Sequence, residues 1–277
     1  MCSFIAVMGL AFLPLCTLVY GHARLRIPPQ RSSLWREGLS SLINRDDNEL
    51  NCGGFSIQHG QYNGKCGVCG DIYGSHQFHQ PPGKYAQGII GRCYKPGIRW
   101  IDVKVEITAN HLGYFQFKLC ANNNIKHPVS QTCLDSNVLT IRDKSGRVYG
   151  TRFPVNALML DVNLQVQLPD DIKCSQCVLQ WIYTTGNNWG CFNGKCRLGH
   201  GSQETFINCA DIAITNNCPS NQIVMKNDAV KAPASHIPKT MNCVAVGIWA
   251  RTKYTLITEW CRINCHEVCP PDYCKCY

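Results

Sequence analysis

The sequence contains no Asn-x-Ser/Thr triplet, so no N-linked glycan is expected even on a secretory route. It has no clustered basic run: the 27 Lys and Arg outnumber the 18 Asp and Glu but are scattered. The net charge of +9 therefore implies weak attraction to acidic surfaces and excludes nucleic acid as an expected partner. Beyond the first twenty residues no apolar run approaches membrane-spanning length, so no membrane partner is expected. Repeats of solenoid period and low-complexity tracts are also missing. Charged residues are only 16% of the chain and hydrophobic ones 45%, a globular composition with too little charge for a disordered one.

What is present begins with an uncharged apolar stretch, Phe4 to Tyr20, followed by Gly21-His22. Val19 and Gly21 suit the minus-three and minus-one positions of a signal-peptidase site, although the segment before the stretch carries no positive charge. Residues 1–21 are read as a signal peptide, which makes the protein secreted and extracellular and leaves 256 of the 277 residues. His22 then becomes the first mature residue. Its α-amine, with a reference pKa of roughly 8, lies within chelating reach of its own imidazole. Neutral imidazole suits copper, and Cu(II) stands highest among the divalent first-row metals in intrinsic affinity. One further His would complete a three-nitrogen site.

Two of the twenty cysteines, Cys2 and Cys16, fall in the leader. The eighteen that remain form an even set, as disulfides in an oxidising compartment require. Six of them lie in residues 243–277, read as a Cys-rich extension that pairs mainly within itself. The twelve from Cys52 to Cys218 are expected to pair among themselves. Cys66-x-x-Cys69 and Cys174-x-x-Cys177 have zinc-knuckle spacing, but secretion and the abundance of other cysteines favour disulfides. Cys66-Gly67-Val68-Cys69 also lacks the aromatic residue that follows a papain-type nucleophile.

Residues 37–100 are rich in Gly, Asn, Gln and Cys with little periodicity, and read as a long disulfide-pinned loop region and a binding surface. From Trp100 the pattern changes. Ile101, Val103, Val105 and Ile107 alternate with polar residues, as do Phe115, Phe117 and Leu119, so both segments read as half-buried strands. His111 falls in the connection between them. Val138–Arg142 and Arg147–Phe153 read as a hairpin around Asp143-Lys144-Ser145-Gly146, and Leu164, Val166 and Leu168 as a further strand. Val178–Thr184 adds another, Gly186–Gly201 reads as a tight loop, and Glu204–Ile214 as a buried strand. About seven short strands with frequent turns predict a mainly β fold, an antiparallel immunoglobulin/fibronectin-like sandwich. Its expected extent is 22–216, with 217–242 as a Pro-containing linker or wrapping segment.

Five segments in one order carry a family resemblance. They are His22-Ala23-Arg24-Leu25 with Pro28-Pro29 and Trp35-Arg36, Cys66 to Asp71, Thr108-Ala109-Asn110-His111, Gly186 to Cys191, and Gln203 to Ile212. Together they resemble the arthropod-type lytic polysaccharide monooxygenases, the fifteenth auxiliary-activity family of carbohydrate-active enzymes. The resemblance implies a histidine brace, in which His22, through amine and side chain, and His111 hold one copper ion that cycles between Cu(II) and Cu(I). It implies an external electron donor, O2 or H2O2 as co-substrate, and crystalline chitin or cellulose as the polymer whose glycosidic bonds are oxidatively cleaved. Ala109 matches a small residue near the metal. Phe206 matches the axial position, where a phenyl ring shields but cannot ligate. Glu204, two residues earlier on the same strand, is a candidate acid near the reacting oxygen. A monomer is expected. The alternative from another class is a secreted, noncatalytic polysaccharide-binding protein on the same sandwich. His76, His79 and His200 read as solvated loop residues.

Overall fold

The computed structural model describes residues 22–218, 243–245 and 274–276. The chain divides into two compact units, Met1–Val224 and Met225–Tyr277. The leader and the linker lie outside the described residues.

The first unit is a sandwich of two five-stranded sheets. One sheet contains β1 (His22–Ile27), β3 (Trp100–Ala109), β8 (Asp161–Gln167), β5 (Ile141–Asp143) and β6 (Val148–Gly150), in that spatial order. The other contains β2 (Arg92–Tyr94), β12 (Thr205–Ile214), β9 (Cys174–Thr184), β4 (Tyr114–Cys120) and β7 (Phe153–Pro154). The period-two segments behave as their pattern requires. Ile101, Val103, Val105 and Ile107 of β3 and Val162, Leu164 and Val166 of β8 are buried. They meet Phe115, Phe117, Leu179, Trp181, Tyr183 and Phe206 of the facing sheet in one core. Burying each such side chain is worth about 1.5–3 kcal/mol.

Strands β9 and β12 are buried on both faces, which explains why their sequences show no alternation. Their second face carries Val178, Ile182, Ile207 and Cys209, covered by the Cys-rich loop region and by a short helix, α1 (Gln131–Asp135). Six disulfides form among the described residues: Cys52–Cys66, Cys69–Cys209, Cys93–Cys218, Cys120–Cys133, Cys174–Cys177 and Cys191–Cys196. The twelve cysteines from Cys52 to Cys218 thus pair among themselves, and Cys66 and Cys69 take separate partners. The expected pairing within the tail falls on side chains outside the described set. There the backbone of β13 (Cys243–Ala245) pairs antiparallel with β14 (Cys274–Cys276).

Four local expectations are corrected. Residues 22–27, for which no strand was expected, form edge strand β1. The segment 147–153 does not continue as one hairpin strand. It breaks at Gly150, whose φ is +68°, and Phe153 crosses to pair with Phe115 in the other sheet. The pairing is not wholly antiparallel, because β2 runs parallel to β12. Finally, Gly186–Gly201 contains a hairpin, β10 (Trp189–Phe192) with β11 (Lys195–Leu198). Asn193 and Gly194 both have positive φ at its tip, 49° and 73°, as a two-residue turn of matching twist requires.

Candidate functional site

His22 opens β1 opposite Ala109, the last residue of β3. Its carbonyl accepts from the Thr108 hydroxyl at 3.2 Å, and the Asn48 amide donates to that same hydroxyl at 2.9 Å. The Ala23 N–H donates to the Asn48 carbonyl at 3.0 Å. Residues 48–49 of the long loop region therefore lie against His22, as expected for a segment that builds a site. The imidazole Nε2 of His22 sits 2.9 Å from Glu49 Oε1.

His111 lies just past β3, two residues beyond the partner of His22. It is buried, with only 5% of its surface exposed. Its N–H donates to the Tyr183 hydroxyl at 3.0 Å, and its carbonyl accepts from the Gly186 N–H at 2.8 Å. The bend that follows uses positive φ at Leu112 and Gly113. A side chain at Gly113 would collide with the Thr184 carbonyl oxygen, so only Gly permits this close approach. His111 Nδ1 lies 3.0 Å from the Asn187 amide nitrogen. Its Nε2 is buried and has no hydrogen-bond partner. Burial holds the imidazole pKa below its ordinary value, and the charge of nearby His22 pushes it the same way. Both effects favour the neutral ring, the form that can accept a metal ion.

Beneath His111 the ring of Tyr183 stacks on Phe206 with centroids 5.9 Å apart, and Phe206 is fully buried. Burial drives the Tyr183 phenol up to about 12, assisted by the charge of Glu204 and opposed by the His111 N–H. Glu204 is itself 8% exposed and accepts from Asn51 Nδ2 at 3.0 Å. Burial raises its carboxyl pKa, partly offset by that bond. It is no exposed surface acid. Gln203 fastens the neighbouring hairpin, bonding both the N–H and the carbonyl of Asn188. From that base Trp189, Phe192 and Leu198 project with 70%, 64% and 51% of their surfaces exposed.

His22, His111, Glu204 and Phe206 are therefore brought into one neighbourhood. Tyr183, Glu49, Asn51, Asn187 and Trp189 belong to it as well and were not singled out from sequence. His79, expected to be solvated, is 5% exposed, with Asp71 accepting from both its N–H and its Nδ1. Among the described residues no three His, Cys, Asp or Glu side chains gather as a metal-holding group.

Residues 22–212 match the protein family described as "lytic polysaccharide mono-oxygenase, cellulose-degrading". The chain belongs to that family. A solved structure of the AA15 lytic polysaccharide monooxygenase from Thermobia domestica, in its Cu(I) state, is 39% identical over 70% of this chain and 99% of its own, with a TM-score of 0.65. This lytic polysaccharide monooxygenase is accordingly of the arthropod type, with a disulfide-pinned β-sandwich and an oxidoreductase's class of activity. A polysaccharide monooxygenase CBM33 structure also matches, at 13% identity over 70% of this chain and all of its own, with a TM-score of 0.41. No curated protein matches the chain.

Proposed function

We propose that this monooxygenase is secreted, matures by cleavage after Gly21, and uses one copper ion to break glycosidic bonds in chitin or cellulose. The observation that carries the reading is the His111 Nε2, buried and unpartnered beside the residue that maturation would expose. An orphaned buried nitrogen costs about 1–3 kcal/mol unless it gains a partner. A metal ion is such a partner.

His22, through its α-amine and Nδ1, and His111, through Nε2, would hold the ion. Copper supplies one-electron chemistry with O2 or H2O2, primed by an external reductant. The chain supplies the surroundings. The ring of Phe206 presents no donor atom and would give the ion an apolar neighbour. Ala109 adds no bulk beside His22. Glu204, whose carboxyl pKa is raised by burial, places an acid group near the reacting centre. Trp189 and Phe192 offer exposed rings on which pyranose faces stack. Chitin and cellulose both present such faces.

The test uses mature protein beginning at His22. Copper titration by calorimetry should show one tight site, and mass spectrometry should find oxidised oligosaccharides released from chitin or cellulose with a reductant. One extra Gly before His22, or His111→Ala, should abolish both while leaving the thermal transition nearly unchanged. Equal oxidation by the Gly-extended protein would refute the brace. A noncatalytic binder would retain polysaccharide affinity in all three proteins and release no oxidised product.

A further inference from the structure

Each of the two ligand imidazoles in this reading has its other ring nitrogen against a polar side chain, and the two side chains differ in kind. His22 Nε2 faces Glu49 Oε1 at 2.9 Å. His111 Nδ1 faces the Asn187 amide nitrogen at 3.0 Å. A neutral imidazole carries one N–H and one lone pair, and whichever nitrogen hydrogen-bonds decides where the proton sits.

Glu49 can only accept when ionised, so at His22 the proton is held on Nε2 and the lone pair falls on Nδ1. Nδ1 is the nitrogen that closes a six-membered chelate with the residue's own amine. Nε2 faces away from the amine and cannot. The backbone that carries this carboxylate is anchored: the Glu49 N–H donates to the Asp46 carbonyl, its carbonyl accepts from the Asn51 N–H, and the carbonyl of adjacent Asn48 accepts from the Ala23 N–H.

At His111 the situation is reversed. An amide nitrogen donating to Nδ1 would leave the proton on Nε2, the nitrogen required for ligation, and the Asn187 Oδ1 buried without a partner. Turning the amide over places Oδ1 against Nδ1. The proton moves to Nδ1, Oδ1 gains its donor, and Nε2 presents a lone pair.

We infer that Glu49 and Asn187 are positioning residues that set the tautomers of the two ligands: Glu49 accepts from His22 Nε2, and Asn187 turns its carbonyl to His111 Nδ1, so that Nδ1 of His22 and Nε2 of His111 carry the lone pairs. The inference rests on the copper reading above and adds to it the residues that prepare the ligands. Such outer partners typically alter metal affinity about 10- to 100-fold when removed.

The experiment compares mature wild type, Glu49→Ala, Asn187→Ala and Asn187→Asp, each checked for an unchanged thermal transition. Copper(II) affinity is measured by calorimetry. Imidazole tautomers are read from 15N spectra of metal-free protein and of protein loaded with diamagnetic Zn(II). Wild type should show His22 protonated at Nε2 in both states, and His111 protonated at Nδ1 once loaded. Glu49→Ala and Asn187→Ala should each bind copper about 10-fold more weakly or worse, and Glu49→Ala should show both His22 tautomers when metal-free. Asn187→Asp, an acceptor only, should keep wild-type affinity. Tight binding in wild type with equal binding in both Ala variants overturns the inference and leaves the copper reading standing. Wild type that binds no copper overturns the copper reading and this inference with it.

Discussion

The Tyr183 hydroxyl accepts the backbone N–H of His111 at 3.0 Å, tying a loop residue to the C-terminal end of a core strand. Tyr183→Phe keeps the ring stacked on Phe206 but leaves that N–H buried without a partner. The expected cost is about 1–3 kcal/mol of stability, together with weaker copper binding as His111 loses its support. Denaturant unfolding and copper calorimetry on the same variant check both.

Arg31 and Asp211, 180 positions apart, form a buried two-point ion pair at 2.7 and 2.8 Å. Arg31→Met would leave Asp211 ionised and buried, with Gln176 at 2.7 Å as a residual donor. A loss of about 3–5 kcal/mol is expected. Arg31→Met/Asp211→Leu should recover much of it, because the pair is then removed whole. Urea midpoints of the three proteins give the answer.

Trp189 is the most exposed large apolar residue in the described part of the chain, at 70%. If it meets polymer, Trp189→Ala should weaken retention on crystalline chitin or cellulose about 2- to 10-fold, the span of an aromatic contact. Stability should change by under about 0.5 kcal/mol. Pull-down isotherms beside calorimetric melts separate the two effects.

Acid should destabilise the sheet edge that carries His22. Burial alone would raise the Glu106 pKa, but Arg24 at 2.5 and 3.1 Å and Arg26 at 2.8 Å reverse this and hold it below its ordinary 4.5. A depressed folded-state pKa contributes stability above the unfolded value and loses it as pH falls through the folded one. The melting temperature should therefore fall below about pH 4.5. Glu106→Gln should melt lower than wild type at pH 7, with the gap closing towards pH 3. A constant gap across that range would assign the loss to packing.

Legibility followed burial. Strands β3 and β4 announced themselves because one face of each meets the core and the other stays half wet. Strand β9 was readable only from its apolar content, since Gln180 and Trp181 are equally buried on opposite faces. The turn Asn193-Gly194 was a local hairpin signal, but neither flanking strand alternates, because both are largely exposed. Phe153 crosses sheets to meet Phe115, a tertiary choice that no local pattern encodes. At the site, His22 and His111 were accessible through motif resemblance and the leader boundary. Glu49 and Asn187 were not, since what distinguishes them is a contact across 27 and 76 positions of sequence.

The disulfides Cys52–Cys66 and Cys69–Cys209 fasten the ends of a segment in which several positions, such as Phe55, Ser56, Gly60 and Gln61, are exposed. Leu50 and Asn51, just before the first bridge, bond to β12 and to Glu204, so the position of Glu49 does not depend on residues 53–65. Apart from Gly53, whose positive φ and close Ile72 neighbour require Gly, buried Gln58, and His59, whose Nε2 lies 2.8 Å from the Gln203 carbonyl, the exposed positions of that stretch are free to diversify. Related enzymes could change which sugar or crystal face they grip by rewriting them, without disturbing the neighbours of His22, and variation in natural sequences should concentrate there.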